Sequence, residues 1–354
     1  MTHEEIRRWL AVTDPPRLEA LWRRADDARR DHVGDAVHLR GLVEMSNHCV
    51  RHCAYCGINA CRSDVRRYRM TPDEALRCAR RAAELGYGTL VVQAGEDPRL
   101  TGPRVADLVR RIKTETPLAV TLSLGERPAE DLDLWRAAGA DRYLLRFETT
   151  NERLFARLHD GEERGLADRL GVLRELRRLG YEVGSGCLIG LPGQTFDDLA
   201  RDVALFRALD LDMIGCGPFV PHPDTPLGRE AAALRERPEQ VPADATTARK
   251  VVALARLVCP DANIPATTAV ATLDGQRGYE SALGCGANVI MPNLTPAAYR
   301  ALYEIYPGKA GVTQPRDYHE TLKRRIASLG RHVANGPGPS PKYLSRSMAA
   351  LKSV

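Results

Sequence analysis

Long apolar runs are missing from this sequence: none approaches the roughly 18 residues that a membrane-spanning helix needs. The opening Met1, Thr2, His3, Glu4 and Glu5 lack the basic-then-apolar order of a secretory signal, so a cytoplasmic protein without membrane contact is expected. A strong charge of one sign is missing too, since 51 basic residues face 46 acidic ones for a formal net charge of +5. The arginine pairs (Arg23 and Arg24, Arg29 and Arg30, Arg66 and Arg67) are scattered, which suits a solvated surface better than a nucleic-acid face. Cysteine is present but unpaired in number: there are nine, three of them within eight residues. A chain of 354 residues needs no covalent staples, so metal binding or redox chemistry is expected instead of a secreted disulfide framework.

Length and a 44% hydrophobic content fit either two domains or one barrel. The order of elements decides. Candidate strands run from Val37 to Met45, Thr89 to Ala94, Ala119 to Leu124, Arg142 to Glu148, Glu182 to Ile189, Met213 to Val220, Asn263 to Val270 and Ala287 to Pro292. Amphipathic stretches at about 74–85, 103–114, 129–138, 167–179, 195–209 and 243–257 fill the crossovers. Thr71-Pro72-Asp73-Glu74 is a helix start with a capping threonine and a first-turn proline, and Gly86, Gly139 and Gly180 are helix stops. Eightfold strand-helix alternation predicts an α/β fold, a (β/α)8 TIM-type barrel over residues 36–333. Residues 1–35 read as an N-terminal helical cap. Residues 334–354, entered through Asn335-Gly336-Pro337-Gly338-Pro339-Ser340-Pro341, read as an irregular, flexible or surface-draped tail.

In such barrels chemistry sits at the C-terminal strand ends. These are rich here in polar residues and glycine, among them Gln93 to Asp97, Ser123 to Glu126 and Gly186 to Gly193. The fourth strand places Arg142, Leu144, Arg146 and Glu148 on one face. Either these charges neutralise one another as a structural plug or they hold a charged ligand.

After the first strand comes Cys49-Val50-Arg51-His52-Cys53-Ala54-Tyr55-Cys56, a C-x3-C-x2-C loop. Three thiolates can ligate three irons of a cubane and leave the fourth open. An open iron can chelate the amino and carboxylate groups of S-adenosylmethionine, and one electron then breaks a carbon-sulfur bond to give the 5'-deoxyadenosyl radical. A zinc site completed by His48 or His52 is the alternative, although no second ligand pair follows downstream.

This loop on a barrel resembles the radical SAM superfamily. The strings Arg40 to Glu44, Arg67 to Pro72, Gln93 to Pro98, Thr121 to Glu126, Asp141 to Arg146, Gly190 to Thr195, Gly217 to Pro226, Asn263 to Thr268 and Asn288 to Asn293 are similar to the HydE family of [FeFe]-hydrogenase maturases, over about residues 37–310. The resemblance implies that Cys49, Cys53 and Cys56 hold a four-iron, four-sulfur cluster. It implies that Glu148 and Arg169 engage S-adenosylmethionine, with Tyr55, Gln93, Thr121 and Ser123 beside them. Arg146, Thr267, Thr268, Met291, Tyr303 and Tyr306 would form the substrate end, for a cysteine-derived iron complex. Expected partners are that small molecule, a one-electron donor such as flavodoxin or ferredoxin, and other maturation proteins.

Three departures stand out. No cysteine follows Cys285, so a second cluster is not expected; Phe147 stands where the family has histidine; and Cys187 and Cys216 lie near strands five and six without an assigned role. A paralogue acting on another amino-acid or organo-sulfur substrate, like the methylornithine synthase and biotin synthase families, and a non-catalytic cluster carrier are the competing readings.

Overall fold

A computed structural model describes residues 1–161, 163–231, 239–309 and 317–352 of the chain. Eight parallel staves form the barrel: β1 (Ala36–Ser46), β2 (Thr89–Ala94), β3 (Ala119–Ser123), β4 (Arg142–Leu144), β5 (Glu182–Ser185), β6 (Met213–Ile214), β7 (Pro265–Ala266) and β8 (Val289–Ile290). Hydrogen bonding links β6-β5-β4-β3-β2-β1-β8-β7. The ring is completed beside Asn263, whose carbonyl accepts from Ile214 N at 3.0 Å and whose N–H donates to Asp212 O at 2.8 Å. The crossover helices start where local chemistry dictates. Thr71 Oγ1 accepts from Glu74 N at 3.2 Å while Glu74 returns a carboxylate to Thr71 N at 2.7 Å, and Thr195 with Asp198 repeats the device.

Five expected strands are much shorter than their apolar runs, and the last of them, Ala287 to Pro292, gives only Val289–Ile290. The β4 ladder stops at Leu144, and four residues further on Glu148 holds a left-handed φ of 68°. The runs after β5 and β6 break and resume as Leu188–Ile189 and Gly217–Pro218, a short pair extending the barrel wall upward. The run expected as strand Asn263 to Val270 gives only Pro265–Ala266, and Thr268–Leu273 is a helix.

The two N-terminal helices, His3–Ala11 and Pro15–Val33, pack on the barrel's flank against helices Phe196–Ala208 and Ala245–Val258, where Lys250 Nζ donates to Leu10 O at 2.8 Å. The glycine-proline segment is not draped over the surface. Its carbonyls plug the barrel floor: Pro337 O accepts from Arg142 (2.9 Å) and Thr89 (3.0 Å), and Gly338 O from Asn263 (3.1 Å) and Arg40 (3.2 Å). Ser340 is fully buried and a helix, Pro341–Lys352, follows. A segment without internal hydrogen bonds has every carbonyl free to serve buried donors.

Candidate active site

The three cysteines hang in the loop that leaves β1 at the mouth. Two glycines let neighbours press on it. A Cβ at Gly95, just past β2, would lie 2.3 Å from His48 O and 2.9 Å from Cys49 Cβ, and one at Gly57 would lie 2.3 Å from Glu304 O. Burial raises all three thiol pKa values, that of Cys56 to about 12; for Cys49, backbone N–H groups of Arg51 and Glu96 work against the rise. Bare thiols would therefore stay protonated, and bound metal must displace those protons. Among the described residues no three His, Cys, Asp or Glu side chains gather around a single-ion position, and the thiols instead line one wall of a cavity.

That cavity encloses about 350 Å³ and descends from the cysteine loop to Arg40 near the barrel floor. It lies within the range of roughly 300–1,000 Å³ typical of small-molecule sites. All fifteen candidate side chains named from the sequence border it. Arg146 and Glu148, just beyond the end of β4, enter this space and pair at 3.2 Å, and Tyr55 Oη donates to Glu148 Oε1 at 3.1 Å. Burial disfavours the charge on Arg146, but Glu148 together with Tyr55, Cys216 and Cys187 outweighs it and raises its pKa. Arg142, on the same strand face, lies deeper and is a structural group, paired with fully buried Glu182. The structural reading of strand four holds for Arg142, while Arg146 and Glu148 face the cavity.

Arg169 enters from the first turn of helix Leu166–Arg178. Its Nε donates to Glu126 Oε1 at 2.7 Å, and one terminal nitrogen reaches His159 Nε2 (3.2 Å) and Arg146 O (3.3 Å). Arg51 of the cysteine loop also contacts Glu126, at 3.4 Å. Gln93 donates to the Tyr303 hydroxyl at 3.2 Å. Among the described residues, the buried atoms of the cavity lining without a hydrogen-bond partner include Glu148 Oε2, Glu126 Oε2, Thr121 Oγ1 and Thr267 Oγ1, with Arg40 Nε deeper. Buried polar atoms in proteins are nearly always satisfied, so these are candidate contacts for a bound molecule. Three thiols on one wall and orphaned oxygens behind them suit an iron-sulfur cluster with a polar organic ligand against it.

Sequence reasoning missed two parts of the site. Glu126 closes the Arg169 network, and the polar string after β3 that contained it was its only signal. Glu44 forms a buried pair with Lys309 and accepts from Asn293 at 3.0 Å. The period-2 face of β1 (Arg40, Leu42, Glu44) could have revealed Glu44, while Lys309 carried no local signal. Phe147 points away from the cavity and packs against Phe206, ring centroids 5.9 Å apart. Cys187 and Cys216 lie 3.6 Å apart, buried behind the wall and outside the lining.

The family model of the radical SAM superfamily matches residues 43–206, a span holding the three cysteines, Glu148 and Arg169. Over 308 residues, 87% of this chain and 84% of the relative, the sequence is 47% identical to the [FeFe] hydrogenase maturase subunit HydE of Thermotoga maritima. The 3-methylornithine synthase of Methanosarcina acetivorans is 27% identical over 294 residues, 82% of this chain and 79% of that one. The crystal structure of a methylornithine synthase shares the fold with a TM-score of 0.78 at 24% identity, covering 94% of both chains. A barrel with this loop at its mouth and these relatives is a radical enzyme that cleaves S-adenosylmethionine, a class that works with an iron-sulfur cluster. Within that superfamily the chain belongs to the HydE family.

Proposed function

We propose that this enzyme carries out HydE-type chemistry, using a four-iron, four-sulfur cluster held by Cys49, Cys53 and Cys56 to act on a small cysteine-derived, iron-bound substrate in hydrogenase active-site assembly. The reduced cluster supplies the electron that breaks the carbon-sulfur bond of S-adenosylmethionine. The chain's own groups bind and orient. Glu148, oriented by Tyr55, accepts the ammonium of S-adenosylmethionine through its orphaned Oε2. Arg169, fixed by Glu126, sits beside it, and Gln93, Thr121 and Ser123 flank the nucleoside. Arg146 takes an anionic amino-acid carboxylate, with the Thr267 hydroxyl as a further polar contact and Thr268, Met291, Tyr303 and Tyr306 closing the substrate end. The observation that carries this reading is the cavity itself: it joins the thiol wall to a guanidinium and an orphaned hydroxyl in one enclosed space. A cytoplasmic setting, a low-potential one-electron donor and exchange with other maturation proteins belong to the same proposal.

The test separates substrate binding from radical generation. Arg146→Ala is expected to keep 5'-deoxyadenosine formation while losing product from a cysteine-derived iron complex. Turnover of the unmodified enzyme on an ornithine-like or other amino acid, with none on cysteine derivatives, would favour the paralogue reading suggested by the 3-methylornithine synthase relatives.

A further inference from the structure

The cysteine loop has an outer face as well as an inner one. Behind it lies a second hollow of about 380 Å³, bordered by His48, Val50, Arg62, Arg67 and Arg69. Cys49 borders both hollows, and among the described residues it is the only one of the three loop cysteines to do so. Among the described residues no carboxylate lines the outer hollow. Arg62 and Arg69 are neutralised from its edge by Asp64 (2.6 Å) and Asp97 (2.5 Å). Arg67 instead donates to four neutral carbonyls, of Asn47, Ile58, Asn59 and Arg62, which leaves its charge uncancelled. Arg66 and Arg99 are exposed nearby, and among the described residues neither guanidinium has a hydrogen-bond or carboxylate partner. Val50, the residue after Cys49, is 49% exposed, an apolar spot within a basic rim.

The inner cavity is sized for small molecules and cannot admit a protein. The outer face brings a protein surface within one side chain of Cys49. On the reading that Cys49 is a cluster ligand, we propose that this face is the docking surface for a small acidic one-electron carrier protein. The carrier gives up one electron and the cluster gains it, with no atom or proton transferred. Apolar contact at Val50 inside a charged rim matches the anatomy of protein interfaces, and the basic rim steers an acidic partner at low salt.

The test is the double charge reversal Arg66→Glu with Arg99→Glu, both outside the catalytic cavity, in reconstituted enzyme. Binding of an acidic flavodoxin is measured by interferometry at low and high salt. 5'-Deoxyadenosine formation is then measured with reduced flavodoxin and with photoreduced deazaflavin, a small neutral reductant. The proposal expects Kd to rise roughly tenfold at low salt, the wild-type affinity to weaken with salt, and only the flavodoxin-driven rate to fall. An unchanged Kd in the variant, or equal loss of both rates at full iron content, would overturn it. A wild-type enzyme that fires with neither reductant would instead overturn the radical reading on which it rests.

Discussion

Tyr55 Oη donates to Glu148 Oε1 at 3.1 Å, so the residue just before the third cysteine fixes a carboxylate that faces the cavity. A hydrogen bond to a charged group contributes about 1.5–3 kcal/mol. Tyr55→Phe is therefore expected to raise the KM for S-adenosylmethionine roughly tenfold while leaving iron content intact. Steady-state kinetics beside iron analysis checks it, and an unchanged KM would remove Tyr55 from the binding machinery.

Glu148 sits in a left-handed conformation that side chains with a Cβ rarely adopt, so its surroundings must hold it there. Asp202, fully buried, does so from behind. It accepts from Thr150 N (2.5 Å), Thr150 Oγ1 (2.7 Å) and Gln194 Nε2 (3.1 Å), tying down the turn after Glu148. In Asp202→Asn an amide N–H₂ must face one of these donors, at a cost of about 1–3 kcal/mol. The expected result is a higher KM for S-adenosylmethionine with cluster content unchanged, a split that general destabilisation would not produce.

The pH dependence of stability follows from buried histidines. Burial, with Arg169 next, pushes His159 down to about 3, and burial with Arg40 pushes His38 down to about 4. Unfolded histidine titrates near 6.5, so between these values the unfolded chain binds protons that the folded one does not. Stability is full above pH 6.5 and falls as the pH drops, by about 1.4 kcal/mol per pH unit for each histidine. In His159→Gln, urea unfolding from pH 7 to 4.5 should show a shallower loss than in the unmodified protein, and parallel curves would refute the assignment.

Much of the barrel was legible locally. Thr71 and Thr195 announce their helices, glycines mark the stops, and apolar runs give all eight staves, because caps and periodicity depend on neighbours three or four residues away. The cysteine spacing was equally local. What could not be read depends on distance along the chain. Arg142 and Arg146 share a strand face, yet only their depth makes one a floor residue and the other a mouth residue. Arg169 meets Glu126, 43 residues away, and Lys309 meets Glu44, 265 away. The glycine-proline tail looked irregular, and it is, but nothing in its composition tells that Arg142 and Arg40 need its carbonyls.

That dependence makes the tail a stability element. Ending the chain after Ala334 removes acceptors from Arg142, Arg40 and Asn263 and takes the Ser340 N–H from Glu182 (2.8 Å). Each buried group left unsatisfied costs about 1–3 kcal/mol, so the melting temperature should fall by at least about 5 °C. An unchanged Tm would mean that the plug contributes nothing.

The central claim is that Cys49, Cys53 and Cys56 carry the group that cleaves S-adenosylmethionine. The most direct test is anaerobic reconstitution with iron and sulfide, reduction, addition of S-adenosylmethionine, and chromatographic assay of 5'-deoxyadenosine and methionine in the unmodified enzyme and in Cys53→Ala. The account predicts both products from the first, and from the second neither product nor the brown cluster absorbance. Cleavage retained in Cys53→Ala, or none from a fully loaded, reduced enzyme with substrate present, would contradict it.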